Sequence, residues 1–168
     1  MLNKLLVILL VVGFLLGCSQ QNVVKQFSGE ELKTEINSLN NKMAKAVMDG
    51  NYELTTNMYK EDGISLPSYQ PMLRGKAAIV KQSEMEKQNP MKMENFVLTS
   101  TDIWQSGNLV VDIGTYSFSM DMPQMPGGIF KDQGKYITIY EVQSDGSLLI
   151  KADTWNTDNN PWIQMGQQ

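Results

Sequence analysis

Asp153 is the residue of this sequence best placed to move a proton. It lies mid-strand in the run Leu148 to Asn156, between Ala152 and Trp155. A carboxylate drawn out of water beside an indole has its pKa raised and can act as a base. The plainer role for the same residue is a solvated or hydrogen-bonded carboxylate that fixes a sheet to a helix. Asp112 carries the same two readings. Arg74 presents a fork of donors that suits an anionic group, or it pairs with Asp62 or Glu61 and pins a loop. Tyr59, Trp104, Tyr116, Tyr140 and Trp155 offer apolar bodies with polar tips, the surface that lines small-molecule sites; taken singly, each also reads as ordinary core. Met120, Met122 and Met125 form a spaced thioether set that suits Cu(I), or an apolar lid. Asp158-Asn159-Asn160 lacks the alternating ligands of a calcium loop and reads as a turn. Histidine is absent, which removes imidazole bases and the commonest metal ligand. No metal and no cofactor are expected.

These groups need elements to position them. Gly134 to Asn156 reads as two strands around a tight turn. Tyr136, Ile137, Thr138, Ile139, Tyr140 and Val142 are of types that fit a pleated, half-buried surface, and Ser144-Asp145-Gly146-Ser147 supplies the turn. In the second strand Lys151, Asp153 and Trp155 share one face and Ala152, Thr154 and Asn156 the other. Leu109 to Met120 alternates as a long strand, with Val110, Asp112, Gly114, Tyr116, Phe118 and Met120 on one face. Met93 to Ser100, extended by Asp102 to Trp104, is a further strand. Pro123 to Asp132 reads as a Pro/Gly-rich loop.

Helices occupy the first half. Ser28-Gly29-Glu30-Glu31 has the form of a capping box, and Leu32, Ile36, Leu39, Met43 and Val47 follow at helical spacing. A short helix is expected from Tyr52 to Tyr59, a turn at Lys60 to Gly63, a short strand at Ile64 to Pro67, and a third helix from Lys76 to Met85. Helices first and strands after, with hairpin connections, predict an α+β fold with an antiparallel sheet.

The chain has 168 residues, 42% hydrophobic and 19% charged, with a net charge of −4. That suffices for one domain with a real core. Basic residues are scattered, so a nucleic-acid partner is not expected. Nucleotide-binding glycine motifs, a nucleophile elbow and a CxxC pair are missing.

The N-terminus reads as an export signal. Lys4 precedes the apolar run Leu5 to Leu16, which is short for a bilayer span. Leu15-Leu16-Gly17-Cys18 then resembles the lipobox of bacterial lipoproteins, with Cys18, the sole cysteine, at the lipidated position. A plain secretory signal and an uncleaved anchor are the alternatives. The expected division is a signal peptide over 1–17, a polar tether without a packing pattern over 18–27, and a domain over 28–168. Ser19 after the cysteine resembles outer-membrane sorting in enteric bacteria. The expected location is therefore the cell envelope, lipid-anchored to the outer membrane and facing the periplasm.

Met43 to Gly75 (MAKAVMDGNYELTTNMYKEDGISLPSYQPMLRG) resembles the opening of the SnoaL-like, ketosteroid-isomerase-like proteins of the nuclear transport factor 2-like (NTF2-like) superfamily. Arg74-Gly75 matches a family pair before the third helix. Gly114-Thr115-Tyr116, Gly134-Lys135-Tyr136 and Asp153-Thr154-Trp155-Asn156 resemble its later strands. The resemblance implies a curved antiparallel sheet wrapped around helices into a cone with an open pocket. It also implies frequent homodimerisation through the outer face of the sheet. Such a fold hosts many activities. The function expected here is a pocket for a small, mainly apolar molecule, acting as a non-catalytic binding or dimerising module. The alternative is an isomerase or cyclase with Asp153 as base and a tyrosine as oxyanion donor.

Overall fold

The computed structural model describes residues 24–159, apart from 89, 91 and 123–126. The signal peptide, Cys18, Met125 and Trp162 lie outside the described residues.

Helix α1 (Gly29–Met48) starts where Ser28 caps it, with the Ser28 hydroxyl accepting from the Glu31 N–H at 3.3 Å. Glu31 pairs with Lys25 at 2.9 Å and also stays within reach of the Ser28 N–H, the other half of the capping box. The residues that α1 buries are Leu32, Ile36, Asn40, Ala44 and Ala46. Leu39, Met43 and Val47, expected to continue the buried stripe, are only half-buried. Ile36 is fully buried and contributes roughly 1.5–3 kcal/mol by leaving water. Helix α2 (Tyr52–Asn57) is capped by the Asn51 side chain on the Leu54 N–H.

Strand β1 (Tyr59–Leu66) follows at once. Lys60 to Gly63, expected to be a turn, is instead an irregular stretch of that strand. Strand β2 (Leu73–Arg74) pairs with its end, and helix α3 (Lys76–Glu86) crosses to the long strands. These are β3 (Met93–Ser106), β4 (Leu109–Asp121), β5 (Ile129–Val142) and β6 (Leu148–Thr157). The expected loop before β5 is thus shorter than its glycines and prolines suggest, with Ile129 already in the ladder opposite Asp121.

The sheet has six strands among the described residues, in the order β2-β1-β6-β5-β4-β3. It is curved, with the helices on its concave side. The expectation of a purely antiparallel sheet is corrected at one seam, since β1 runs parallel to β6. Parallel neighbours need a long crossover, and here α3 and the whole β3–β5 meander supply it. The core joins Leu32 and Ile36 of α1 to Met58, Ile79, Val110, Tyr140, Val142, Leu148 and Ile150.

Residues 24–27, read as the end of a polar tether, lie against this domain. Val24 and Phe27 pack on the core, and the Phe27 N–H donates to Gln105 Oε1 at 3.0 Å. Gln105 donates in turn to the Lys25 carbonyl at 2.8 Å.

Candidate functional site

Between the helices and the concave face lies a cavity of about 480 Å³. Its walls are largely apolar, from Met43, Ala46 and Val47 on α1, Ile79 on α3, Leu98 on β3 and Phe118 on β4. A volume of this order is that of a small-molecule site.

Three one-residue bulges decide which side chains face it, the first in β3 where Glu94 pairs with Ser119 and Val97 with Ser117, so that Met93 and Phe96 both turn inward. In β3, Ser100 pairs with Gly114 and Asp102 with Ile113, leaving Thr101 as the extra residue. In β6, Ile150 pairs with Tyr140 and Ala152 with Ile139, leaving Lys151 extra. Each bulge reverses the inward–outward alternation of its strand. Ile150 and Asp153 therefore both point inward, while Lys151 leaves the face assigned to it and reaches Asp62.

The sheet register places one polar row across the inner face. Asp112 on β4 stands opposite Thr138 on β5, Thr138 opposite Asp153 on β6, and Asp153 opposite Ser65 on β1. Thr138, Asp153 and Ser65 line the cavity. Asp153 Oδ2 accepts from the Tyr59 hydroxyl at 3.1 Å. Its other oxygen, Oδ1, is buried and has no hydrogen-bond partner among the described residues. Burial pushes the Asp153 pKa up to about 6, with the Ser65 and Tyr59 hydroxyls holding it back from a larger rise.

Asp112 sits one layer deeper. It is fully buried, and its Oδ2 accepts from Asn40 Nδ2 at 3.1 Å and from the Tyr136 hydroxyl at 2.9 Å. Asn40 also reaches the Ser100 hydroxyl at 3.0 Å. Asn40 and Tyr136 line the cavity, and Asp112 does not. Asp112 is thus corrected from a ligand contact to a support behind the wall.

The other expected residues divide cleanly. Tyr59, Tyr116, Tyr140 and Trp155 line the cavity with Asp153. Trp155 stays 37% exposed, as a residue at an opening does. Trp104 is corrected: the Thr101 bulge turns it to the outer face, where it is 45% exposed. Arg74 is corrected as well. It is exposed on the edge strand β2 and takes no part in the cavity. Nor does it pair with Asp62 or Glu61, since Lys151 and Lys60 engage Asp62 and Lys76 approaches Glu61 at 3.9 Å. Met120 is buried within β4 rather than in a loop, and among the described residues no cluster of His, Cys, Asp and Glu could hold a metal ion.

Asn40 and Ser65 were missed from sequence. Asn40 had a usable signal, because it extends Leu32 and Ile36 at a spacing of four residues, and an amide on a buried stripe demands partners. Ser65 had none before the parallel seam was known.

Three tyrosine hydroxyls are engaged by carboxylates: Tyr59 by Asp153, Tyr136 by Asp112, and Tyr116 by Asp132 at 3.0 Å. Burial, reinforced by those acids, raises all three phenol pKa values. Tyr140 has no carboxylate partner among the described residues. Its pKa is also raised, first by burial and then by the charges of Asp112, Tyr136 and Asp153. The site can therefore accept a hydrogen bond or a proton at Asp153 within an apolar chamber.

No protein-family model matches the chain, and no curated protein matches it by sequence. Solved structures do match. A ketosteroid isomerase-like protein from Erwinia carotovora atroseptica aligns with TM-score 0.66 and 12% identity, covering 79% of this chain and 100% of that one. An NTF2-like protein with a cystatin-like fold from Novosphingobium aromaticivorans aligns with TM-score 0.60 and 13% identity, covering 83% and 90%. A Mycobacterium tuberculosis protein of unknown function aligns with TM-score 0.60 and 15% identity, covering 77% and 73%.

Proposed function

With the NTF2-like, cystatin-like fold as its frame, we propose that this chain is an exported, lipid-anchored protein that holds a small, mainly apolar molecule in its cone without transforming it. The observation that carries this reading is the chamber of about 480 Å³, walled by hydrocarbon and aromatic rings with few polar groups at its floor. Such a surface gains from taking an apolar body out of water.

Fluorescence of N-phenyl-naphthylamine, a neutral apolar probe, tests it. Saturable binding is expected for the purified protein, and at least tenfold weaker binding for Leu98→Trp with Ala46→Phe, which together place two large rings in the chamber. An unsaturable signal, or equal binding by the doubly obstructed variant, rejects the proposal.

The anchor rests on Leu15-Leu16-Gly17-Cys18. Cys18→Ser is expected to move the protein out of the membrane fraction, and a variant that stays there rejects lipidation. The proposed site of action is the cell envelope, at the outer membrane on its periplasmic side.

The Asp153–Tyr59 contact gives some support to a second reading, an isomerase or cyclase. A carboxyl raised to about 6 suits a base working near neutral pH. The oxyanion side is weaker. Tyr59 spends its hydrogen bond on the base itself, and Tyr116 and Tyr136 donate theirs to other acids. Tyr140 would have to serve, so binding without chemistry is the reading we prefer.

A further inference from the structure

The charge on the cavity lining is of one sign, with Asp153 inside and the exposed Glu86 at the rim. Asp153 and Glu86 are the charged residues that line it, and both are acidic. Asp112 stands behind the same floor in the same row, two strands from Asp153, at about 10 Å by strand spacing. The charges of both Asp112 and Asp153 reach Tyr140, which packs into the core beside the cavity. Among the described residues, no lysine or arginine lines the chamber. Asp112 Oδ1 and Asp153 Oδ1 are, among the described residues, the buried side-chain oxygens left without a hydrogen-bond donor.

A carboxylate in an apolar chamber is costly unless a donor or a cation reaches it. Tyr59 engages one oxygen of Asp153, and rotation about the Cβ–Cγ bond exchanges the two oxygens. A donor entering the chamber can compete with the Tyr59 and Ser65 hydroxyls for either oxygen. Deepening the binding role proposed above, and resting on it, we infer that the occupant is an apolar organic cation, a protonated amine on a hydrocarbon or aromatic body, whose ammonium pairs with Asp153. The aromatic walls of Tyr59, Tyr140 and Trp155 suit the same cation. An anionic amphiphile would meet repulsion and find no counter-charge.

The groups that face Asp153 are Tyr59 and Ser65 from β1 and Thr138 and Tyr140 from β5, with Asp112 of β4 two strands away and Glu86 of α3 the other charged residue of the lining. None of them is basic. Binding of the amine should therefore weaken when Asp153 takes up a proton, in the window around its raised pKa of about 6.

Three ligands with one body and three heads make the test: phenylbutylamine, phenylbutanol and phenylbutyrate, each titrated calorimetrically into the purified protein. The amine is expected to bind about tenfold or more tightly than the alcohol near pH 7.5, as a charge-assisted hydrogen bond implies. Phenylbutyrate is expected to bind weakest. The ratio of amine to alcohol affinity should fall toward one near pH 5, and also in Asp153→Asn. Equal affinities for amine and alcohol at the higher pH, or a preference for the acid, overturn the inference while leaving apolar binding intact. A preference unchanged in Asp153→Asn but lost in Glu86→Gln moves the cation to the rim and also overturns it. Should Asp153→Asn fail to fold, the pH profile of the unaltered protein decides. If none of the three binds and N-phenyl-naphthylamine also fails to bind, the pocket reading itself falls.

Discussion

Asp153 shows how a single carboxyl is set against the fold that holds it. Its pKa of about 6 in the folded chain lies above the ordinary 3.8, so the folded state grips the proton more tightly than the unfolded chain does. That preference stabilises the fold fully below the ordinary value and is lost as pH rises through about 6. Above that point the buried charge weakens the protein by on the order of 3 kcal/mol. Asp153→Asn keeps the shape of the neutral acid without its charge. Scanning calorimetry should find the variant melting higher than the parent at pH 8, with the gain vanishing at pH 4. A lower melting temperature at pH 8 would show that the ionised form has more support than Tyr59 and Ser65 supply. Asp153 stood out in the sequence because it sits beside a tryptophan in a strong strand. Tyr59 was singled out as a lining residue too, but not as the partner of Asp153, because it is 94 residues away and meets it only through the parallel seam.

At the scale of elements, two crossings of glycine and tyrosine shape the inner wall. Gly114 faces Tyr136 and Tyr116 faces Gly134 in the β4–β5 ladder. A Cβ on Gly114 would lie 2.7 Å from the Tyr136 ring and 2.3 Å from the Thr99 carbonyl oxygen. One on Gly134 would lie 2.8 Å from the Tyr116 ring. Each ring covers the bare backbone opposite, which holds the tyrosines at the tilt that brings their hydroxyls to Asp112 and Asp132. Gly114→Ala is therefore expected to lower stability by about 1–3 kcal/mol or more in urea denaturation. A neutral effect would mean that β3 and β5 part more easily than their packing suggests. The periods of strand and helix were plain in the sequence, down to the inner face of β4. The bulges were not. Nothing in Ser100-Thr101-Asp102 marks an extra residue, because a bulge answers to sheet curvature and the partner strand. Trp104 was therefore placed on the wrong side, and Lys151 on a face it does not share.

Over the whole molecule, the convex face carries an apolar patch among polar neighbours. Trp104, Val111, Ile139 and Ala152 stand in one row across four strands, with Ile113 and Ile137 in the next. Trp104 is 45% and Ile137 39% exposed, and a contiguous patch of this kind marks an interaction surface. We propose that it is covered by a second copy of the chain. Trp104→Glu should then shift the sedimentation coefficient from dimer to monomer, and a parent already monomeric at micromolar concentration rejects the pairing. The layered α+β plan was legible because both periodicities were strong, whereas the place of β1 in the sheet was not, since pairing over so long a separation leaves no local trace. That placement has a consequence for the making of the protein. The inner wall gains its sixth strand only when β6 docks beside β1, so a chain interrupted before Leu148 holds its apolar lining open to water, chaperones and proteases. The time between the emergence of Tyr59 and that of Asp153, whether from a ribosome or an export channel, is the interval in which the chain is most vulnerable to capture or cleavage.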